Sequence, residues 1–227
     1  MKADERLWLR EIVSVHDPML QPCRQLYESS FPADERVPTE ALNRALERRA
    51  MGDEPWSGQQ RLAVSLLGSR FAGFCSFAGL LDLESSAPEH YGAVFYMAVV
   101  PELRGRGAGR FMFQCIQTML AADACWRGAK ASGLILEVER PDMAHDAGDR
   151  QTCEKRIKFY ERLGCRLLQR IDYVQPTLDT GLRPLRLHLM SGGDIATRSD
   201  RHICRLWYRL VFGLGPDDPT VVAATTG

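Results

Sequence analysis

The chain has 227 residues, of which 45% are hydrophobic and 26% are charged. A chain of this length supports one well-buried domain with an appendage, and this composition excludes the disordered, collagen-like and membrane classes. Lys plus Arg and Asp plus Glu both total 29, so no overall field attracts the protein to nucleic acid or to an anionic membrane.

The cysteines and the first residues predict a compartment. Seven cysteines are scattered along the chain without a CxxC pair, which favours reduced thiols in a cytosol. The first residues, MKADERLWLREI, are charged where a signal peptide would be apolar, and no apolar run approaches the roughly 20 residues of a spanning helix. We therefore predict a cytoplasmic protein without a transmembrane segment.

The first part of the chain predicts an extended segment, two helices and a β-hairpin, in this order: Leu7–Val15, Asp17–Phe31, Glu40–Ala50, then Arg61–Leu67 with Phe71–Leu83. Thr39 can cap the second helix, because its hydroxyl can accept a hydrogen bond from a free first-turn amide. Met51–Gly58 is acidic and contains glycine, which predicts a loop. Gly68-Ser69 is the type of short connection that joins antiparallel strands.

Strand, glycine turn and helix then follow in series. Ala93–Val100 has no polar side chain apart from a tyrosine hydroxyl, so it predicts a central strand buried on both faces. From Gly109 the apolar residues recur with helical period, at Met112, Cys115, Ile116, Met119 and Leu120. Gly133–Glu139 predicts another strand, and the two strands with the helix between them form a βαβ unit.

The remaining chain predicts an irregular acidic segment, a helix and two strands. The segment runs from Pro141 to about Asp149. The helix presents Ile157, Tyr160 and Leu163 and ends at Gly164, and the strands cover Cys165–Val174 and Leu185–Met190. We predict one main domain over 1–192, an appended amphipathic helix over 193–214 and a flexible tail over 215–227.

The loop Arg104–Gly109 has the composition of an anion site. It lies between the predicted strand and helix, where free amides and the helix dipole attract anions and glycines admit a phosphate close to the backbone. A dinucleotide fingerprint needs glycine where Arg110 stands, and a P-loop needs a Gly-Lys-Ser/Thr ending, so neither fits. The alternative to an anion site is a tight turn without a ligand.

Two motifs in this region resemble one superfamily. Val-x-Pro-x-x-Arg-Gly-x-Gly-x-Gly, from Val99 to Gly109, resembles the acyl-CoA-binding motif of the GNAT acetyltransferases. The sequence from Phe159 to Cys165 resembles the Phe-Tyr-x-x-x-Gly-Phe element that closes the same family's CoA site. The resemblance covers roughly 94–168 and implies a GNAT-like α/β (mixed α+β) fold. In that fold a central, mostly antiparallel mixed sheet with a splayed parallel strand pair is flanked by helices.

The resemblance implies acetyl-CoA, or another acyl-CoA, as co-substrate and no metal. The residues that it assigns to CoA are Ala98, Val99, Val100, Arg104, Gly105, Arg106, Gly107, Ala108, Gly109 and Arg110. A backbone amide of Val99 or Val100 is the candidate donor to the thioester carbonyl. Cys153 stands where the family often has an asparagine beside the pantetheine arm, so we count it with the CoA contacts and do not expect it to be a nucleophile.

Acyl transfer to an amine needs a base and an acid. Tyr160 matches the family's usual acid and is also a candidate CoA contact; alternatively it only fills the apolar face of its helix. Glu137 and Glu139 project from one strand face, and burial would raise the pKa of either carboxyl. Glu137 is the first candidate base. Alternatively both glutamates pair with arginines, Arg140 or Arg156, and support only structure or the recognition of substrate charge.

The acceptor is predicted to be a primary amine of a small molecule, a peptide or a protein. Segment 141–149 carries three aspartates and His145, which suits a collar for a cationic amine or simply a solvated loop, and its spacing offers no compelling metal-ligand set. We expect a monomer or homodimer that binds no nucleic acid. Two other functions stay open: a non-catalytic CoA-binding sensor or accessory module, and an interaction protein that docks through the terminal helix.

Overall fold

The computed structural model describes residues 6–33, 36–50, 60–177 and 184–226. The strands in these ranges are β1 (Leu7–Ile12), β2 (Gln60–Leu67), β3 (Arg70–Asp82), β4 (Glu89–Val99), β5 (Lys130–Glu139), β6 (Cys165–Leu167), β7 (Val174–Gln175) and β8 (Leu185–Gly192). The helices are α1 (Leu20–Ser30), α2 (Thr39–Ala50), α3 (Ala108–Trp126), α4 (Ala147–Glu161), α5 (Asp200–Phe212) and α6 (Pro219–Thr225). The predicted loop Met51–Gly58 lies outside the described residues.

The strands form one mixed sheet in the order β1-β2-β3-β4-β5-β8-β6, with β7 beside β8. The hairpin β2–β3 and the pairs that β8 makes with β5, β6 and β7 are antiparallel. β4 and β5 are the parallel pair, connected through α3. The predicted mixed, mostly antiparallel sheet flanked by helices is therefore confirmed.

The chain divides into two compact units. Unit 1 contains the residues up to Gly79 together with Val94–Arg127, and unit 2 contains Leu80–Ala93 together with the residues from Gly128 onward. β4 is shared, because Glu89–Ala93 belong to unit 2 and Val94–Val99 to unit 1.

The core of unit 1 is an apolar cluster from α1, α2 and the strands of this unit. Its buried members are Ile12, Leu20, Cys23, Leu26, Tyr27, Leu42, Leu46, Leu62, Val64, Phe74 and Ala98. Each large side chain buried in this way contributes about 1.5–3 kcal/mol of transfer free energy. Arg61 on β2 also binds Glu11 on β1 and Asp123 on α3, at 2.6 Å each, so one guanidinium joins three elements.

The core of unit 2 forms around β5, β8 and α5. The buried face of α5 consists of Ile203, Cys204, Leu206, Trp207, Tyr208 and Leu210. Ser199 caps this helix by accepting a hydrogen bond from the His202 amide, and Gly213 ends it with a positive φ of 69°. The predicted amphipathic helix is thus present, and within unit 2 its apolar stripe is packed.

The predicted strand Cys165–Val174 is wrong in its middle part, because only β6 and β7 at its two ends are strand. The amides of Gln169 and Arg170 donate instead to the carboxylate of Asp200, at 2.9 and 3.0 Å. An aspartate at the start of α5 therefore takes the backbone donors that a strand ladder would need.

The sequence analysis missed α6, which lies within the predicted tail. Asp218 caps α6 by accepting from the Thr220 amide at 2.8 Å. Val221, Ala224 and Thr225 are buried, and the Asp172 amide donates to the Ala224 carbonyl at 3.1 Å. This end of the chain is consequently part of the packed structure of unit 2.

Candidate functional site

The loop between β4 and α3 requires glycine at two positions. Gly105 and Gly107 have φ values of 74° and 87°, which side-chain-bearing residues rarely adopt. A Cβ at either position would meet no atom within 4 Å, so the requirement is conformational and not steric. The two left-handed residues turn the chain from β4 into α3 and leave the loop backbone exposed.

The start of α3 has no side-chain cap among the described residues. The first turn of a helix has no acceptor within the helix, and the N-cap Gly107 has no side chain to supply one. The helix dipole adds a partial positive charge at this end, and Arg106 and Arg110 are exposed beside it. Exposed amides, a helix N-terminus and cationic side chains are the features that suit an anionic group such as a pyrophosphate.

The two candidate amides at the end of β4 differ in what they bind. The Val100 amide donates to the carbonyl of Ala72 on β3 at 3.0 Å, so its donor is already used. Successive amides along a strand point to opposite sides, which directs the Val99 amide away from β3. Arg104 donates from Nε to the Val99 carbonyl at 3.1 Å. Of the two predicted donors, Val99 is therefore the one that we retain.

Gly73 on β3 allows the close approach of β4 within unit 1. A Cβ at this position would clash with the carbonyl oxygen of Ala98 and lie 3.2 Å from Cα of Val99. Neither backbone atom can yield without moving the end of β4. The sequence analysis did not single out Gly73, since a glycine within a strand only indicates a close approach in general.

Glu137 on β5 lies in a hydrogen-bonded network of unit 2. Its Oε1 accepts from the Tyr173 hydroxyl and from Trp207 Nε1 at 3.3 Å, and its Oε2 accepts from Gln175 Nε2 at 2.9 Å. Burial raises the pKa of this carboxyl from 4.5 to about 7, although all three donors act in the opposite direction. A carboxyl with this pKa changes protonation near neutral pH.

The predicted alternative, pairing with arginine, applies to one glutamate of the two. Glu139 forms an ion pair with Arg156 on α4. Arg140 binds Asp142 at 2.7 Å and Asp172 at 3.2 Å. Among the described residues Glu137 accepts hydrogen bonds only from neutral donors. Its negative charge is therefore not balanced by an arginine, unlike that of Glu139.

Tyr160 and Cys153 lie on the buried face of α4, two turns apart. Tyr160 is 6% exposed and Cys153 is 8% exposed. The Tyr160 ring packs edge-on against Phe159, with centroids 5.0 Å apart. Residues seven apart share one helix face, so both predicted CoA contacts project from the same side of α4.

The acidic segment before α4 has defined local roles. Asp146 caps α4 by accepting from the Asp149 amide at 2.9 Å, and Asp142 is held by Arg140. His145 is exposed. Within the described ranges no group of three or more His, Cys, Asp or Glu side chains could hold a metal ion.

The predicted site residues fall into two sets. The stretch from Ala98 to Arg110 belongs to unit 1, whereas Glu137, Cys153 and Tyr160 belong to unit 2. The seven cysteines all lie in the described ranges, and none of them forms a disulfide bond. No helix in the part of the chain that the structure describes has the length and apolar character needed to cross a membrane.

The sequence analysis missed the partners of Glu137. Tyr173 falls in the predicted strand Cys165–Val174, Trp207 falls in the predicted helix 193–214, and Gln175 falls in no predicted element. They lie 36, 70 and 38 positions from Glu137, respectively. No local pattern joins residues at such separations, so the sequence carried no signal for this network.

No protein-family model matches the chain, and no curated protein matches its sequence. Among solved structures, a protein of Bacteroides thetaiotaomicron described as an acetyltransferase from the GNAT family has a TM-score of 0.63 at 23% identity, covering 91% of this chain and 99% of its own. A second, from Desulfovibrio desulfuricans and described in the same way, has a TM-score of 0.53 at 15% identity, covering 83% and 99%. NAA60 of Arabidopsis thaliana, solved in complex with acetyl-CoA, has a TM-score of 0.56 at 14% identity, covering 83% and 98%. The chain therefore has the fold of the GNAT acetyltransferases.

Proposed function

We propose that this protein is an N-acetyltransferase that moves the acetyl group of acetyl-CoA to a primary amine. The observation that carries the proposal is the glycine loop at the start of α3, where two left-handed glycines lead into a helix N-terminus beside the exposed Arg106 and Arg110. NAA60, a protein of the same fold, was solved in complex with acetyl-CoA, and this supports the choice of donor.

The geometry of unit 1 supports the proposed contacts to the acetyl-CoA donor. Amides of the loop from Arg104 to Arg110 hold the pyrophosphate, with Arg106 and Arg110 supplying charge. The pantetheine arm lies along the end of β4, and the Val99 amide donates to the thioester carbonyl oxygen. A fixed donor aimed at a developing oxyanion is typically worth about 3–4 kcal/mol.

Glu137 and Tyr160 supply the proposed proton transfers. Glu137 accepts a proton from the amine as its nitrogen attacks the thioester carbonyl carbon. A C–N bond forms and the C–S bond breaks. Tyr160 donates its hydroxyl proton to the departing sulfur, so the products are the acetylated amine and the CoA thiol. Exchange with water then returns both side chains to their initial protonation states.

A turnover assay tests this proposal. Purified protein is incubated with acetyl-CoA and one of three amines: spermidine, L-lysine, or a short peptide with a free alanine N-terminus. Mass spectrometry measures the acetylated product. Tyr160→Phe should lower kcat by about 100-fold or more, while the control Tyr91→Phe, a buried tyrosine of the same unit that donates to Glu89, should retain kcat. Acetyl-CoA binding without product from any amine would favour the CoA-binding sensor.

A further inference from the structure

The two oxygens of Glu137 are occupied unequally. Oε1 accepts from both Tyr173 and Trp207, whereas in the ranges that the structure describes Oε2 accepts from Gln175 alone. A carboxylate oxygen has two lone pairs, so Oε1 is saturated and Oε2 keeps one acceptor position. The network therefore distinguishes the two oxygens of one carboxylate.

The donors to Oε1 are fixed by packing. Tyr173 and Trp207 are each 1% exposed, and the single N–H of Trp207 is shared, since Nε1 donates to Oε1 at 3.3 Å and to the Tyr173 hydroxyl at 3.0 Å. The Tyr173 ring packs on Tyr208, with centroids 5.2 Å apart. Tyr208 is anchored in turn, since it donates to the Val174 carbonyl at 2.8 Å. Neither donor can leave Oε1 without opening the core of unit 2.

We propose that Tyr173 and Trp207 are positioning residues that fix Oε1 of Glu137 and leave Oε2 as the oxygen that accepts the amine proton. This inference rests on the proposed acetyl transfer and deepens it. Through Trp207, helix α5 then helps to position the base in addition to its structural role. Tyr173 and Trp207 touch the base and not the substrate, so they act through Glu137.

The surroundings of Glu137 define its response to pH. The titratable groups that face it are Tyr173 and Tyr208, and burial raises the pKa of both hydroxyls, which stay protonated near neutral pH. On the same strand face, Glu139 is paired with Arg156. Glu137 is thus the group in this network that titrates near pH 7.

The pH dependence of acetyl transfer tests the role of the donors. Hydrogen bonds to the carboxylate favour its charged form, so removing one raises the pKa of Glu137 further. In Tyr173→Phe and in Trp207→Phe the acid limb of the rate profile should move upward by about one pH unit. The acceptor amine is the same in every assay and cannot produce a shift that depends on the variant.

Two control variants separate positioning from folding. Tyr208→Phe removes a buried hydroxyl that packs beside Tyr173 but donates to backbone, so it should leave the midpoint of the limb in place. Trp126→Phe changes a tryptophan that is 84% exposed and should leave the profile unaltered. Equal shifts in Tyr208→Phe and Tyr173→Phe would overturn the positioning role.

A fluorescence titration tests the contact without turnover. In a full-length chain with Trp8, Trp56 and Trp126 replaced by Phe, emission from Trp207 should change with a midpoint at about pH 7, and Glu137→Gln should abolish the change. A flat response would overturn the proposal. A clear response in a protein that transfers acetyl to none of the three amines would refute the proposed function, and with it the catalytic role of the donors.

Discussion

Glu137→Gln should change how stability depends on pH. Burial raises the pKa of this carboxyl from 4.5 to about 7, so the folded state favours the protonated form. Its contribution to stability is fully present below pH 4.5, the unfolded value, and is lost as the pH rises to about 7. Each pKa unit corresponds to about 1.4 kcal/mol, so the whole loss is about 3.5 kcal/mol.

Glutamine is the suitable replacement because it is neutral at every pH and similar in size to glutamic acid. Its oxygen can still accept from Tyr173 and Trp207, and the Gln175 amide can reorient to accept from the new NH₂ group. Between pH 5 and pH 8 the wild type should therefore lose about 2.5 kcal/mol relative to Glu137→Gln.

Urea denaturation at pH 5, 6, 7 and 8 measures the effect as a difference between the two proteins. Glu154→Gln, at an exposed position of α4, reports the cost of the same chemical change at the surface. A stability difference between wild type and Glu137→Gln that stays constant within about 0.5 kcal/mol from pH 5 to pH 8 would refute the assignment of a raised pKa to Glu137.

Three further predictions concern the loop, its strand and the C-terminal helix. Gly73→Ala should weaken acetyl-CoA binding in calorimetry, because a Cβ there displaces the end of β4; unchanged affinity would contradict this. Replacing Arg106 and Arg110 by Gln should weaken acetyl-CoA binding and reduce its salt dependence, whereas Arg70→Gln, at the exposed first residue of β3, should not. Val221→Ala should lower the free energy of unfolding, measured by urea denaturation, by about 2 kcal/mol, and Val222→Ala should lower it far less. The reason is that Val221 is 1% exposed and Val222 is 44% exposed. Equal losses in the two variants would contradict the packing of α6.

The elements that the sequence predicted are those whose signal is local. Periodicity located the β2–β3 hairpin and α3 to within a few residues, since alternation and helical spacing depend on neighbouring positions. The glycine pattern located a loop with two left-handed residues, because side-chain-bearing residues rarely adopt that backbone conformation. The hairpin, α3 and the glycine loop could be predicted because each depends on short-range steric constraints within its own segment.

The features that the sequence did not predict depend on distant partners. The middle of the predicted strand Cys165–Val174 is not a strand because Asp200 captures two of its amides. Burial raises the pKa of Glu137, and the donors Tyr173 and Trp207, which oppose that rise, come from distant parts of the sequence of unit 2. α6 was missed because its small residues, next to Gly and Pro, give no clear helical stripe.

The most direct test of the account is the binding of acetyl-CoA to the glycine loop. Calorimetry compares wild type with Gly107→Ala, and with Gly128→Ala as a matched control: both glycines have positive φ, of 87° and 63°, and both have open space around a new Cβ. Comparable backbone strain is thus introduced at the start of α3 and just beyond its end. The account predicts that wild type and Gly128→Ala bind acetyl-CoA and that Gly107→Ala binds at least about 10-fold more weakly, a loss of about 1.4 kcal/mol. Equal binding by all three proteins, or no binding by the wild type, would contradict it.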